Sequence, residues 1–402
     1  MARKRSLILV HRYFWPDTPP YAAMLADIAR AAAADGFEVH VLTAQPSYGD
    51  SALHDRAAGD EVVDGVHIVR LPLLAERKDQ TLRRAVNLLA FAAQVWWRIR
   101  RSKNVDAVMA ATTPPVLVAT AARAAAAKVG ADFIYHNQDI YPEVLGPSDS
   151  AVRTRVGQML RSFDARTGKR ATNVVVLSDD MAAAWRDRGA RSDQLVVINN
   201  FDPFGAPALS DDEPAPVASG HRRIVFSGNI GRFQQVPTLV QAVEALRSNG
   251  VDGVELVVVG DGVEFEACKR VAGEATTLVG RVSPAQAAAW LETADLAVIS
   301  LSPGLIRFVY PSKTFGYLAA GVPLLAIVEP TSELGRTVTD KGIGWAVDPS
   351  NAEALRQALS DFAAVPDETL DSMRHAAREL SRSHTPEVVL AKWVELFERV
   401  TQ

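Results

Sequence analysis

The chain has 402 residues, a formal net charge of −4 and one cysteine, Cys268. That length predicts roughly two or three domains, and the near-neutral charge carries no electrostatic mark of a nucleic-acid binder. A lone cysteine excludes a disulfide framework, fits a reducing cytoplasm, and reads as a buried structural thiol in the helical pattern EFEACKR.

The opening, MARKRSLILVHRYF, is basic and then briefly apolar. LILV is too short for a signal peptide and reads as a first strand, with the proline-rich loop YFWPDTPPYA after it. Further strands are expected over 37–44, 65–72, 106–112, 131–137, 173–178 and 194–200. Alanine-rich or amphipathic helices fill most of the gaps, as in 22–36 and 117–130. Near-continuous apolar strands joined by crossover helices predict a parallel sheet covered on both faces.

No apolar run is long enough to span a bilayer. The segment 83–103, RRAVNLLAFAAQVWWRIRRSK, carries Trp96 and Trp97 between basic flanks. Two readings stand: a helix lying at a membrane surface, or a buried helix with basic ends. The stretch 201–223, rich in Pro, Ser, Ala and Asp, has no periodicity and reads as an interdomain linker. The alternation then restarts, with strands expected over 223–231, 254–262, 276–282, 295–301, 323–328 and 344–348, and closes on an amphipathic helix, TPEVVLAKWVELFERV. The fold class is therefore α/β, two doubly wound Rossmann-like domains over 1–203 and 223–383. A linker covers 204–222, and a terminal segment covers 384–402. Ligands in such sheets sit outside the carboxyl ends of the strands, which predicts a cleft between the domains.

In the second half every informative motif follows a strand. FSGNIGRFQQV places Gly228, Asn229, Gly231 and Arg232 there, VVVGDG places Gly260, Asp261 and Gly262, and LVGRV places Gly280 and Arg281. Glycines at strand ends let a ligand approach the backbone, although each alone is more often turn chemistry. VYPSKTFGY opens a helix: Pro311 suits its start, and the free N–H groups of the first turn, with the Ser312 hydroxyl, predict an anion site. Lys313 adds a full charge beside them. The stretch reads as a holder of phosphate oxygens. In the first half YHNQDIYPEVLG puts His136, Gln138, Asp139 and Glu143 after a strand, facing the expected cleft. A polar cluster there suits a hydroxylated acceptor, while a helix cap or a buried histidine would explain the same residues without function. No dinucleotide fingerprint, Walker loop, Asp-x-Asp pair, zinc spacing or nucleophile elbow is present. No metal or cofactor is expected.

The whole chain resembles the family 4 glycosyltransferases of GT-B fold, within the branch of colanic-acid and O-antigen enzymes of L-fucosamine transferase type. The stretches that carry the resemblance are QDIYPE, VINNFD, SGNIGRFQQV, VVVGDG, LVGRV, ADLAVISL and PSKTFGYLAAGVPLLAI. It implies an acceptor-binding first domain, a second domain that binds a nucleotide sugar, usually UDP-linked, and a last helix that crosses back to the first domain. It also implies a retaining, metal-independent transfer of an N-acetylated hexosamine type of sugar to a lipid-linked saccharide in surface polysaccharide synthesis. The enzyme would be cytoplasmic and peripheral to the membrane. Carried over by position, Gly228, Asn229, Gly231, Arg232, Ser312 and Lys313 line the diphosphate, with Tyr310, Pro311, Thr314, Gly260 and Asp261 around them. Gly280 and Arg281 lie near the base, Glu333 reaches the donor, and Asp139, with His136 and Gln138, sits beside the acceptor. Lys313, Arg232 and Asp139 are the expected catalytic residues. The chain departs from the family twice. The Glu-x7-Glu pair would fall at Phe308 and Gly316, and the glycine pair of the first loop is replaced by Pro19, Pro20 and Tyr21. A soluble transferase acting on a secondary metabolite, a UDP-sugar 2-epimerase and a sugar-binding protein are the competing readings.

Overall fold

A computed structural model of the chain describes residues 3–17, 19–46, 60–74, 81–145, 154–203 and 221–402. The expected linker 204–222 lies almost wholly outside the described residues. The chain divides into two compact units. The first is Met1–Pro203 with Phe308–Tyr310 and Pro386–Gln402; the second is Phe204–Arg307 with Pro311–Thr385.

In chain order the first unit holds β1 (Ser6–Val10), α1 (Pro20–Ala34), β2 (Glu38–Ala44), β3 (Glu61–Val63), β4 (Val66–Leu71), α2 (Thr81–Arg101), β5 (Ala107–Ala111), α3 (Leu117–Val129), β6 (Asp132–His136), α4 (Arg155–Lys169), β7 (Asn173–Val176), α5 (Asp179–Asp187) and β8 (Leu195–Val197). The second holds β9 (Arg222–Ser227), α6 (Val236–Ser248), β10 (Val254–Val259), α7 (Phe265–Val271), β11 (Thr276–Gly280), α8 (Pro284–Glu292), β12 (Leu296–Ser300), α9 (Lys313–Ala319), β13 (Leu324–Ile327), α10 (Glu333–Asp340), β14 (Gly344–Val347), α11 (Ala352–Ala364) and α12 (Asp367–Ser381). The last helix, α13 (Pro386–Val400), belongs to the first unit.

The first sheet runs β3-β4-β2-β1-β5-β6-β7-β8. The expected all-parallel sheet needs one correction: β3 pairs antiparallel with β4 through the turn at Asp64 and Gly65, whose φ angles are 52° and 80°. Two successive positive φ values define the tight hairpin turn that Asp-Gly favours. Strands β1 and β5 are buried along their whole length, because helices cover both faces. On one face α1 and α13 pack together. Val389, Trp393, Leu396 and Phe397, one stripe of α13, enter the same core as Leu25, Ile28 and Phe37. On the other face α3 packs against both α2 and α4.

The second sheet, β11-β10-β9-β12-β13-β14, is parallel throughout. Its order reverses between β9 and β12, the topological switch point at which such sheets bind ligands. Ile224, Phe226, Leu256, Val258, Leu296, Val298 and Leu325 form the core beneath α6 and α11.

Candidate functional site

The second unit gathers its chemistry at the switch point. β9 ends at Ser227, and Gly228 follows at φ +126°, a conformation that L side chains rarely adopt. The Lys313 ammonium sits 3.9 Å from the centroid of the Phe226 ring. A Cβ placed on Gly228 would lie 3.2 Å from it. Burial lowers the Lys313 pKa to about 7, and no carboxylate pairs with it among the described residues. Tyr317, one turn further along α9, anchors the lysine's helix. Its hydroxyl accepts from the Ser227 N–H at 3.1 Å and donates to the Ser227 carbonyl at 3.1 Å. Burial raises its pKa. Nothing in the sequence beyond the i, i+4 spacing from Lys313 marks this tyrosine.

The start of α9 differs from the expectation. Ser312 has helical backbone angles and makes no side-chain cap, so its exposed hydroxyl stays available. Thr314, expected to touch a ligand, instead donates its hydroxyl to the Pro311 carbonyl at 2.7 Å and is buried. It closes the turn because its side chain folds back on the preceding backbone. Tyr310 is buried and belongs to the first unit, whereas Pro311 and Ser312 belong to the second.

The glycine loops explain one another. The Gly228 N–H donates to the Val259 carbonyl at 2.8 Å, Gly260 N–H to Gly280 at 2.7 Å, and Ile230 N–H to Asp261 at 3.0 Å. The sheet's pairing thus continues past the strand ends. A Cβ on Gly260 would lie 1.9 Å from the Gly228 carbonyl oxygen. Gly260, expected to make room for a ligand, makes room for the neighbouring backbone. Asp261 caps its own loop, accepting from the Gly262 N–H at 2.7 Å, and lies 3.8 Å from the exposed Arg281 guanidinium. Gly231 keeps the Asn229 and Gln234 amides close, since a Cβ there would meet them at 2.7 and 2.6 Å. Asn229 and Arg232 are exposed on this loop. Glu333 stands in the first turn of α10, behind the Ser332 cap. Glu329, which sequence reasoning missed, accepts from the Gly304 N–H at 2.5 Å and buries its other oxygen without a partner among the described residues.

In the first unit Asp139 follows β6. Its N–H donates to the Thr112 hydroxyl at 3.4 Å, and its backbone bridges to Val309. Burial pushes its carboxyl up to about 6. An ionic cluster holds the next residues. Arg188 donates to the Tyr141 carbonyl at 2.7 Å, to Asp164 at 2.5 Å and to Glu143. Tyr135 donates to Asp164 at 2.6 Å. Glu143 also pairs with Arg161 of α4 at 2.9 Å, so it is an anchor rather than an open acceptor contact.

His136 and Gln138 also depart from the open polar wall expected of them. The two ring nitrogens of His136 lie 2.9 Å from the Tyr21 hydroxyl and 2.8 Å from the Gln138 amide. Gln138 exchanges two hydrogen bonds with Asn200, at 3.1 and 2.8 Å. Burial, then the neighbouring His11, lowers the His136 pKa to about 3. Burial lowers that of His11 to about 4. Both stay neutral at physiological pH. Tyr21 serves as a partner in this network. Among the described residues no group of three or more His, Cys, Asp or Glu is arranged to hold a metal ion.

The chain as a whole matches known proteins. Residues 21–200 match the Glycosyl transferase 4-like domain, and residues 221–364 match the Glycosyl transferases group 1 domain. The chain is 26% identical over 272 residues to the probable glycosyltransferase WbjE of Pseudomonas aeruginosa, covering 65% of this chain and 67% of that one. It is 24% identical over 376 residues to the putative colanic acid biosynthesis glycosyl transferase WcaI of Escherichia coli, covering 88% and 90%. Among solved structures, sucrose-phosphate synthase from Thermosynechococcus elongatus superposes with a TM-score of 0.76 at 16% identity, over 99% of both chains. HepE from Anabaena in complex with UDP gives 0.67 at 14% identity, over 98% of this chain and 100% of that one. At such identities the likeness shows the fold alone, and that fold is GT-B. The two matched domains together span most of the sequence, and the chain belongs to the family 4 glycosyltransferases.

Proposed function

We propose that the chain is a retaining transferase that moves a sugar, of N-acetylated hexosamine type, from a UDP-sugar to a hydroxyl of a lipid-linked saccharide. The observation that carries this reading is Lys313, a cation over the Phe226 ring and against the Gly228 backbone, with no carboxylate to neutralise it among the described residues. A diphosphate complements that charge. HepE, of like fold, is seen with UDP, and WcaI is named for colanic acid biosynthesis; both support the donor and acceptor classes. In the reaction the bond from the anomeric carbon to the diphosphate oxygen breaks, and its electron pair leaves with the oxygen. Lys313 and Arg232 stabilise the charge that develops there, as preorganised cations do. The acceptor oxygen bonds to the anomeric carbon, and its proton passes to the departing diphosphate. The site's own cations meet the diphosphate charge, so this route calls on no metal ion. Asp139, ionised above about pH 6, stabilises the positive character of the transferring sugar. Retention follows the family resemblance.

The acceptor's lipid explains the unusual surface of α2. Its buried stripe is Asn87, Phe91, Val95 and Ile99, while Leu82, Val86, Leu89, Trp96 and Trp97 form a second, exposed one. Arg100 lies over Trp96 and Arg101 over Trp97, at 4.9 and 3.9 Å. A helix with an apolar outer face and basic rim suits the headgroup layer of an anionic membrane. No helix of the described residues is long and apolar enough to cross one.

A panel of nucleotide sugars tested for thermal stabilisation identifies the donor, since a ligand of the folded state raises apparent stability. The expected result is stabilisation by a UDP-sugar, lost in Lys313→Ala together with about 10²-fold in turnover. Free UDP should appear only when a lipid-linked acceptor is added. Conversion of the UDP-sugar to an isomer without acceptor would instead identify an epimerase.

A further inference from the structure

The first unit exposes a second apolar helix that the α2 reading does not use. Along α4, Val156, Met159, Leu160 and Phe163 are 61, 52, 36 and 44% exposed. Their spacing, i, i+3, i+4 and i+7, puts them on one stripe. Core-facing positions of the helix are filled by Gly157, Asp164, Thr167 and Gly168, so the large apolar side chains are turned outward. The charges of the helix are Arg155, Arg161, Arg166 and Lys169, followed by Arg170. Its one acid, Asp164, is buried and paired with Arg188. The exposed charges of α4 are therefore all cationic, beside its apolar stripe. Leu145, two residues after the α4-bound Glu143, extends the apolar surface with 48% exposure.

We propose that α4 is a second membrane-contacting helix, docking with α2 onto one anionic phospholipid surface. The inference rests on the membrane reading of α2 and extends it. Because α3 packs against both helices, α2 and α4 flank it on one face of the sheet. One planar partner can take up both stripes. Apolar side chains enter the headgroup boundary while the arginines and lysines meet lipid phosphates. The Arg161–Glu143 pair then ties the membrane-facing helix to the chain segment that carries Asp139. A lipid-linked acceptor would thus be delivered beside the residue proposed to face it.

The test compares the full chain with Met159→Ser/Phe163→Ser and with Trp96→Ala/Trp97→Ala. It reads co-sedimentation with vesicles of phosphatidylglycerol and phosphatidylcholine, or of phosphatidylcholine alone. Phe163→Ala serves as the milder second variant, and light scattering gives the oligomeric state of each. The expected result is salt-sensitive binding to the phosphatidylglycerol vesicles only, weakened about tenfold or more by the α4 double substitution and less by Phe163→Ala. Donor-induced thermal stabilisation should be unchanged. Loss in the tryptophan variant with full binding by the α4 variants would overturn the role of α4 and leave that of α2. Full binding by all variants, or none by the parent protein, would remove both. A change from dimer to monomer in the α4 variants, with vesicle binding intact, would show that a second copy of the chain covers this face, and would overturn the proposal.

Discussion

Lys313 carries the proton balance of the donor site. Its pKa, lowered by burial from 10.5 to about 7, means that the folded state binds fewer protons than the unfolded one between those values. This lysine's contribution to stability therefore rises with pH across that window and is flat below it, where both states are charged. A bound diphosphate favours the charged form. UDP binding near pH 8 should then take up close to one proton, and affinity should fall as pH rises above about 7. Calorimetry in buffers of different ionisation enthalpy measures the uptake, which should vanish in Lys313→Met. Asp139 shows the opposite sign. Its carboxyl, raised by burial from 3.8 to about 6, binds more protons in the folded state, and stability falls as pH rises through that window. Asp139→Asn should flatten this stretch of the pH–stability curve while lowering turnover. Lys313 and Asp139 stand at positions the sequence already marks, the first residue of α9 and the loop after β6. Tyr317 and Glu329 do not: a tyrosine inside a helix and a carboxylate in a loop acquire meaning only from the backbone groups they meet.

The strand-end loops of the second unit show what a glycine motif encodes. Gly260 and Gly280 both have positive φ, +135° and +82°, yet their surroundings differ. An added Cβ at Gly260 strikes the Gly228 carbonyl at 1.9 Å, whereas one at Gly280 meets nothing within 4 Å. Gly280→Ala should cost about 1–2 kcal/mol from backbone strain. Gly260→Ala should cost more in denaturant titration and also weaken UDP binding, because the Gly228 loop must move. In the first unit, Arg188→Met would leave Glu143 and Asp164 buried without their shared cation. A loss of about 3–5 kcal/mol is expected, with Asp139 displaced as its segment loosens. The Asp-Gly turn of the hairpin stands in EVVDGVHIV, but a strand of three residues, as β3 is, leaves only a weak sequence signal. The ionic cluster was not readable, since its members lie 24 to 47 residues from Arg188 along the chain.

At the scale of the whole chain, the last helix completes the first unit. Trp393 and Phe397 are almost fully buried in a core built otherwise from residues between Leu7 and Phe201. Trp393→Ala should lower stability by about 3–5 kcal/mol, read by chemical denaturation. A chain ending at Thr385 should lose the cooperative unfolding of the first unit and expose the face of α1 to apolar dyes.

Fold class and the division into two doubly wound units were already written in the pattern of apolar strands and crossover helices, because burial on both faces of a parallel sheet leaves a local, periodic trace. The cation at the start of α9 was written there too. Which glycines serve a ligand and which serve a neighbouring strand was not, nor was the inward turn of His136 and Gln138 toward Tyr21 and Asn200. The outward turn of the apolar stripe of α4 belongs with these. Such outcomes depend on which distant segment arrives opposite a side chain, and that is set by packing among elements far apart in sequence.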